Sequence, residues 1–353
     1  MELGDITSKE TEHPNTLDKL VDWFLHSQIF DGGAYLEYYS AKRKGPRYPE
    51  ITGYAISLSC ILHERKKDRR FLDRAEMCAK FMMKVNKSGG VPNLRDNLLY
   101  AFDTGVYVSS LFDLYSLTKK GVYLDEAEKS LRWLCRLWGR RRFAAVGKIP
   151  KNKDWYHVPS VHLLKLVIPL IKASTLFKCQ EYVETAIELL DEYKQLQNDE
   201  GGFKINESSN MIMTHPHCYA TEGLLYAYIT LKRREFLEAA RESGSWLHKM
   251  QNSDGSFYLS YGTEREAEHV IMQEKIKATD STAQATRIWK LLGVNEKGIE
   301  KACRYLDSEL NDNGLRLYKT GSKRMSTYSW PTFFYIHSLM LPFGQIGYCK
   351  ELF

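Results

Sequence analysis

Phe71-Leu72-Asp73-Arg74-Ala75 is written again as Tyr123-Leu124-Asp125-Glu126-Ala127, Tyr182-Val183-Glu184-Thr185-Ala186 and Phe236-Leu237-Glu238-Ala239-Ala240, and more faintly around Ile299–Ala302. The alanines stand 52, 59, 54 and 62 residues apart, a period at which each repeat is one supersecondary unit. In three copies an aromatic follows the alanine by six: Phe81, Trp133 and Trp246. Each copy places its apolar residues at helical spacing with a charged opposite face, so each reads as an amphipathic outer helix. Leu17–Gln28 reads as a sixth, degenerate member.

Several of these helices stop alike. Gln28-Ile-Phe-Asp-Gly32-Gly33, Gln197-Asn-Asp-Glu-Gly201-Gly-Phe203 and Gln251-Asn-Ser-Asp-Gly255-Ser-Phe257 share Gln-x-x-x-Gly, and Gly89-Gly90 and Asn313-Gly314 hold the same slot elsewhere. Glycine there ends a helix and makes a turn. After each stop comes a long polar loop, then a helix with little charge, beginning near Glu50, Asp103, His157, His217, Asp280 and Tyr328. A helix without a charged face is one surrounded by protein. The closed solution is all-α: an (α/α)6 toroid of six helical hairpins, with an inner ring of six parallel helices and an outer ring of six. The expected domain is 16–345, with a polar tail at 1–15 and a C-terminal tail at 346–353.

The 353 residues are 43% hydrophobic and 27% charged, enough for a large core and against disorder. No apolar run reaches the length needed to cross a membrane, and Met1–Asn15 lacks the basic start and apolar middle of a signal peptide. Seven cysteines without a Cys-x-x-Cys pair point to reduced thiols and a cytoplasmic protein. A net charge of +6 is too weak to imply nucleic acid. Nucleotide-binding glycine loops are missing, and no cofactor or metal is expected.

The repeats are similar to those of the terpenoid-cyclase toroids. The phrases Tyr48-Pro-Glu-Ile-Thr-Gly-Tyr54, Ala101-Phe-Asp-Thr-Gly105 and Thr279-Asp-Ser-Thr-Ala-Gln284 more closely resemble uncharacterised toroid proteins encoded with polysaccharide or glycan assembly genes. More distantly they resemble six-hairpin glycosidases and uronate-processing enzymes. The resemblance covers nearly the whole chain. It implies the toroid fold and carbohydrate chemistry; one fold hosts many reactions.

All six long loops gather on the rim that receives the inner-helix amino ends, which is where sites are usually built. The loops 29–48, 87–100, 139–155, 198–213, 252–277 and 312–325 carry a summed charge of +7 against +6 for the whole chain. Lys42, Arg43, Lys44, Arg47, Arg140, Arg141, Arg142, Lys148, Lys151 and Lys153 dominate. With the helix dipoles they predict an anionic oligosaccharide ligand; the plainer reading is solvated loops.

Positions i, i+4 and i+7 share a helix face. The stripes so drawn are Glu50-Tyr54-Ser57, Asp103-Tyr107-Ser110, Tyr219-Glu222-Tyr226, Asp280-Gln284-Arg287 and Tyr328-Thr332-Tyr335. Polar stripes on apolar helices predict a wet central lumen, since a solid core would leave them unpaired. First-turn acids also serve as caps and dipole partners, so Glu50, Asp103 and Asp280 have a structural reading beside the catalytic one. Glycoside hydrolysis would pair two of Glu50, Asp103, Glu222 and Asp280 as acid and base or nucleophile. Elimination or epimerisation would use Tyr54, His157 or His217 as base with Arg287 against a carboxylate. His215 and His217 flank a proline at a helix start, and Trp155 and His157 sit on the third loop. Tyr48, Trp155, Tyr328 and Trp330 are among the aromatics on which a sugar face could pack; Tyr107, Tyr219 and Gln284 complete the expected lining. Two other readings stand. One is a terpenoid-cyclase or prenyltransferase relative binding an isoprenoid diphosphate, although the Asp-x-Asp-Asp acid and an Asp-x-Cys zinc element are missing. The other is a non-catalytic glycan- or protein-binding toroid.

Overall fold

In each outer repeat the alanine lets two helices approach. Ala75, Ala127, Ala186, Ala240 and Ala302 are all fully buried in the computed structural model, which describes residues 14–40, 42–141, 144–151, 155–262, 275–320, 323–324 and 327–353. Most of the expected N-terminal tail, with Arg142 and Lys153, lies outside those residues, as do the side chains of Arg140 and Arg141. Twelve α-helices alternate between two rings among the described residues. The outer ring is α1 (Pro14–His26), α3 (Arg69–Val85), α5 (Gly121–Arg141), α7 (Gln180–Lys194), α9 (Arg234–Met250) and α11 (Glu296–Glu309). The inner ring is α2 (Pro49–Lys66), α4 (Ala101–Thr118), α6 (Val167–Phe177), α8 (Thr214–Leu231), α10 (Thr279–Leu292) and α12 (Ser329–Met340). The chain folds as an (α/α)6 toroid. Among the described residues no helix is long and apolar enough to cross a membrane.

The Gln-x-x-x-Gly turn has a physical cause. Gln197 Nε2 donates to Gly201 O at 3.1 Å and to Ala239 O at 2.8 Å. Gln251 repeats this with Gly255 O at 3.1 Å and Gly298 O at 2.8 Å. The amide thus ties its own turn to the next outer helix. Gly201 and Gly255 have φ of +91° and +92°, and a Cβ there would lie 2.3 Å from Glu242 O and 2.2 Å from Lys301 O. Only glycine fits.

A second repeat couples each turn to an inner helix. The backbone N–H groups of Tyr35, Val91, Phe257 and Leu315 donate to Thr52, Thr104, Thr282 and Thr332 Oγ1, at 2.9 to 3.2 Å. In the fourth repeat Phe203 N–H donates instead to His217 Nδ1 at 3.1 Å. Each acceptor is the fourth residue of its helix. This fixes the rotation of the inner ring: the fourth residue faces outward, so the second, sixth and ninth face the axis. Short strands then link neighbouring loops around the rim, and Tyr38–Tyr39 pairs with Thr327–Tyr328 to close the ring.

Inner helix three starts late. His157 belongs to a separate 3-10 turn, Trp155–His157, and a second, Val161–Leu166, leads into α6. Pro159 bars Val158 from helical backbone, and Pro169 removes an N–H from the first turn of α6.

The expected hollow lumen is absent. The axis-facing stripe runs Glu50-Tyr54-Ser57 on α2, His215-Tyr219-Glu222 on α8, Asp280-Gln284-Arg287 on α10 and Trp330-Phe334-His337 on α12. Below the first turn these side chains fill the axis. Residues 346–353, read from sequence as a tail, instead pack against the toroid: Ile346–Glu351 is a 3-10 turn, and Leu352 and Phe353 are buried. The Phe353 ring stacks on Phe334 and lies 5.0 Å from the Arg287 guanidinium carbon. Among the described residues the space along the axis opens at the rim.

Candidate active site

The second residue of an inner helix is its highest axis-facing position, and these residues meet at a cavity of about 190 Å³. That holds on the order of a dozen waters, the bulk of a single hexose. Glu50, His215, Asp280 and Trp330 reach it from α2, α8, α10 and α12. Tyr48, Trp155, Tyr156, His157 and Tyr318 come from the loops, Glu37 and Arg95 stand at its mouth, and Tyr219 is on its floor.

One wall joins two carboxyls through a phenol. Tyr156 donates its hydroxyl to Asp103 Oδ1 in a very short contact, and the same oxygen lies 3.1 Å from Glu50 Oε2. Glu50 reaches the cavity; Asp103 stands behind Tyr156 and is sealed from solvent. Burial, then the charge of Glu50, pushes the Asp103 carboxyl well above the usual range, against the Tyr156 hydrogen bond. Burial also raises Glu50, opposed by the phenols of Tyr48, Tyr156 and Tyr54 and by the charge of Lys165. Asp103 Oδ2 is buried without a hydrogen-bond partner. A charged oxygen in that position would be costly. The two carboxyls form a dyad across the Tyr156 hydroxyl, both pushed toward the protonated form by burial. Tyr156 is held between two rings: Tyr100, tilted, at 4.8 Å and His162, stacked, at 5.7 Å between centroids. His162 Nδ1 is fixed in turn by Ser160 Oγ.

The facing wall is built differently. Asp280 Oδ1 accepts from the backbone N–H of Ser281 at 2.6 Å, the capping role expected of a first-turn acid. Its Oδ2 accepts from Trp330 Nε1 at 3.1 Å and lies 3.6 Å from His215 Nδ1. Burial lowers the His215 pKa, while Asp280 opposes it, so His215 is neutral near pH 7 and can take a proton. In ring order Glu50 and Asp103 stand on inner helices one and two, His215 and Asp280 on four and five. In a six-membered ring these pairs are diametrically opposed. Among the described residues no group of three or more His, Cys, Asp or Glu side chains could hold a metal ion.

No family model matches the chain, and no curated protein matches it in sequence. Solved structures match its shape. Cellobiose 2-epimerase from Bacillus thermoamylovorans superposes with a TM-score of 0.73 at 10% identity, over 92% of this chain and 98% of the other. Unsaturated glucuronyl hydrolase from Bacillus sp. GL1 gives 0.68 at 13% identity, over 92% and 94%. The likeness is one of fold.

Of the residues singled out from sequence, Glu50, Asp280, Tyr48, Trp155, His157, His215, Tyr219 and Trp330 line the cavity. Tyr54 lies just below, donating to Tyr219 Oη at 2.8 Å. Glu222, Gln284 and Arg287 face the axis deeper down, where Glu222 is consumed by ion pairs with Lys165 and Arg287, both at 2.7 Å. Glu222, expected as a hydrolytic carboxylate, thus lies below the cavity and not on its wall. His217 does not line the cavity either. It occupies the outward threonine slot, its Nε2 2.9 Å from Ser243 Oγ and its ring against Trp246, and burial drops its pKa to about 3. Tyr107, one residue off the axial stripe, faces the outer ring near Tyr123 and Glu126. Tyr328 packs between Tyr38, tilted against it, and Trp330, edge to face, on the rim. Among the described residues, Arg95 apart, the loop lysines and arginines do not line the cavity. Lys42, Arg43, Lys44 and Arg47 are exposed, and Arg47 pairs with Asp31 at 3.0 Å. Arg95 is the one cation on the wall among the described residues, and Glu37 answers it at 3.2 Å. Sequence reasoning missed Tyr156, Glu37, Arg95, Tyr318 and Lys165.

Proposed function

We propose that the protein is a carbohydrate-active enzyme that cleaves a glycosidic bond at the rim cavity, with Glu50 as general acid and Asp280, beside His215, activating water. The observation that carries this reading is the proton-holding Glu50–Asp103 dyad set opposite a neutral histidine and a carboxylate across a space of one sugar ring. Glu50 hands its proton to the glycosidic oxygen as the bond to C1 breaks. Asp103 passes its proton to Glu50 through the Tyr156 hydroxyl, and the proton taken up by the Asp280–His215 pair returns to the dyad by way of solvent. Water, losing its proton to the Asp280–His215 pair, adds to C1 from the opposite face, and inversion follows. Tyr219, Trp155 and Trp330 supply surfaces for the ring. The fold neighbours named for glucuronyl hydrolysis and sugar epimerisation support a glycan ligand.

The wall carries Glu37, Glu50 and Asp280 against Arg95, so the cavity suits a neutral ring. The acidic groups anticipated from the loop charges would then meet only the exposed rim. Purified protein incubated with neutral and uronate-containing oligosaccharides is expected to release reducing ends from the neutral set first, with Glu50→Gln and Asp280→Asn inactive and fully folded. Release unaffected by both substitutions would remove the site. A second reading, epimerisation at a carbon beside a carbonyl, is favoured by neutral His215 as a C–H base. It would give an isomeric sugar carrying solvent deuterium and no new reducing end.

A further inference from the structure

The inner helices run parallel, so their C-terminal ends share the face of the toroid opposite the cavity, and the turns from inner to outer helices lie there. Four of those turns begin alike. Lys67, Lys119, Lys178 and Lys232 directly follow the last residues of α2, α4, α6 and α8, and each holds left-handed backbone, with φ of +55°, +57°, +52° and +58°. That conformation costs a lysine and not a glycine; α10 ends in it on Gly293, at φ +69°. The helix dipole favours a cation near a C-terminus, which Arg65 and Lys66 already supply on α2, and it does not ask for one in strained backbone. All four lysines are exposed, and none is in an ion pair among the described residues.

The same face carries exposed apolar side chains. Of the seven large apolar side chains exposed among the described residues, five lie on it: Val122 at the start of α5, Leu176 at the end of α6, Val294 between α10 and α11, and Phe343 and Tyr348 after α12, each 36–47% exposed. The Tyr348 ring lies 5.6 Å from the Arg65 guanidinium at the end of α2. A Cβ on Gly293 would lie 2.8 Å from the Gly344 Cα, so Val294 and Phe343 stand on touching turns. Turns 63–70, 118–122, 176–181, 231–235 and 290–297 hold 13 Lys and Arg against five Asp and Glu. Packed helix axes are about 8–10 Å apart, which keeps the four lysines within one patch.

We propose that this face docks on an anionic lipid bilayer, with Lys67, Lys119, Lys178 and Lys232 against the headgroups and Val122, Leu176, Val294 and Phe343 at the boundary between headgroups and acyl chains. Unpaired lysines beside shallow apolar side chains match both layers of such a surface. A nucleic acid would use the cations and leave the aliphatic side chains without a partner. The arginines that phosphates favour are tied to acids here: Arg69 to Asp73, Arg70 to Asp68, Arg233 to Glu235 and Arg234 to Glu238. Docking of this kind turns the cavity mouth away from the bilayer and toward the aqueous phase, whatever reaction the cavity performs.

The full chain is sedimented with vesicles of phosphatidylcholine and phosphatidylserine in equal parts, and with vesicles of phosphatidylcholine alone. Binding is expected to the mixed vesicles only, and to weaken as salt is raised. Lys67→Gly, Lys119→Gly, Lys178→Gly and Lys232→Gly each remove a charge and relieve left-handed backbone, so these variants fold and melt no lower than the parent. Each should weaken binding about fivefold, and the four together about several hundredfold. Phe343→Ser weakens binding at every salt concentration, because its share is apolar. Lys42→Gln with Lys44→Gln, exposed on the opposite rim, leaves binding unchanged. A chain that binds neither vesicle, or that binds a DNA duplex and not the mixed vesicles, overturns the proposal. So does binding lost equally in the rim variant, or a fourfold glycine variant that melts lower and binds as the parent does, which would make the lysines helix caps alone.

Discussion

Replacing Asp103 by asparagine should make the stability of the protein less sensitive to pH, and the size of the effect follows from the buried dyad. In the folded protein the dyad keeps one proton well above the ordinary carboxylate range. The unfolded chain releases it near pH 4. The folded value is the raised one, so the dyad's stabilisation is complete below the unfolded value and is lost as pH climbs through the folded value. Across that window one proton separates the states, and the parent protein loses about 1.4 kcal/mol of stability per pH unit. For 353 residues the entropy of unfolding is about 0.7 kcal/mol per degree, so the loss is about 2 °C in Tm per pH unit. Asparagine cannot ionise, and Glu50 alone beside Lys165 stays charged, so the variant lacks this slope. It starts lower, because its Nδ2 inherits the unpartnered position of Oδ2 at a cost of about 1–3 kcal/mol. Thermal melts from pH 5 to pH 8 should therefore show the variant below the parent at the acid end and gaining about 2 °C per pH unit on it. Parallel Tm curves would mean that the dyad carries no proton, and the acid would have to be sought elsewhere.

Other outcomes are expected of the same structure. Tyr156→Phe removes the hydroxyl shared by the two carboxyls and should lower kcat by about 10- to 100-fold, the worth of a hydrogen bond to a charged group; unchanged kcat would take Tyr156 out of the relay. His217→Thr restores the residue that the other repeats use. It leaves a gap against Trp246 that costs about 1–3 kcal/mol in denaturant melts, with kcat intact, whereas a catalytic His217 would show as lost turnover. Gly255→Ala, at φ +92° with backbone 2.2 Å from the new Cβ, should cost more than about 1 kcal/mol, and a neutral outcome in the same melts would refute the steric account of the turn.

The two rings were legible because burial leaves a periodic mark. The repeat alanines and the Gln-x-x-x-Gly stops recur at one period, and the near absence of charge on the alternate helices places them inside. The rotation of each inner helix was legible only in part. Acids at Glu50 and Asp280 happened to sit on the axial stripe, but Asp103 stands one residue off it, which carried Tyr107 and Ser110 to the wrong face. Aligning the threonines at 52, 104, 282 and 332 would have shown the common outward slot and placed His217 in it. Tyr156 lies in a 3-10 turn without periodicity, so nothing local marks its reach to Asp103. Nothing local marks Lys165, because its partners Glu222 and Arg287 are 57 and 122 residues away in sequence. Loop charge left the ligand open for a different reason: summed charge records what the rim contains and says nothing of which side chains turn inward.

The most direct test of the account is a crystal structure of Glu50→Gln with a bound oligosaccharide. The account places one ring between Tyr219, Trp155 and Trp330, with the glycosidic oxygen within hydrogen-bond reach of residue 50 and a water or the opposite ring face against Asp280 and His215. A ring bound outside this cavity, or one with Asp280 and residue 50 on the same side of its C1, would contradict it.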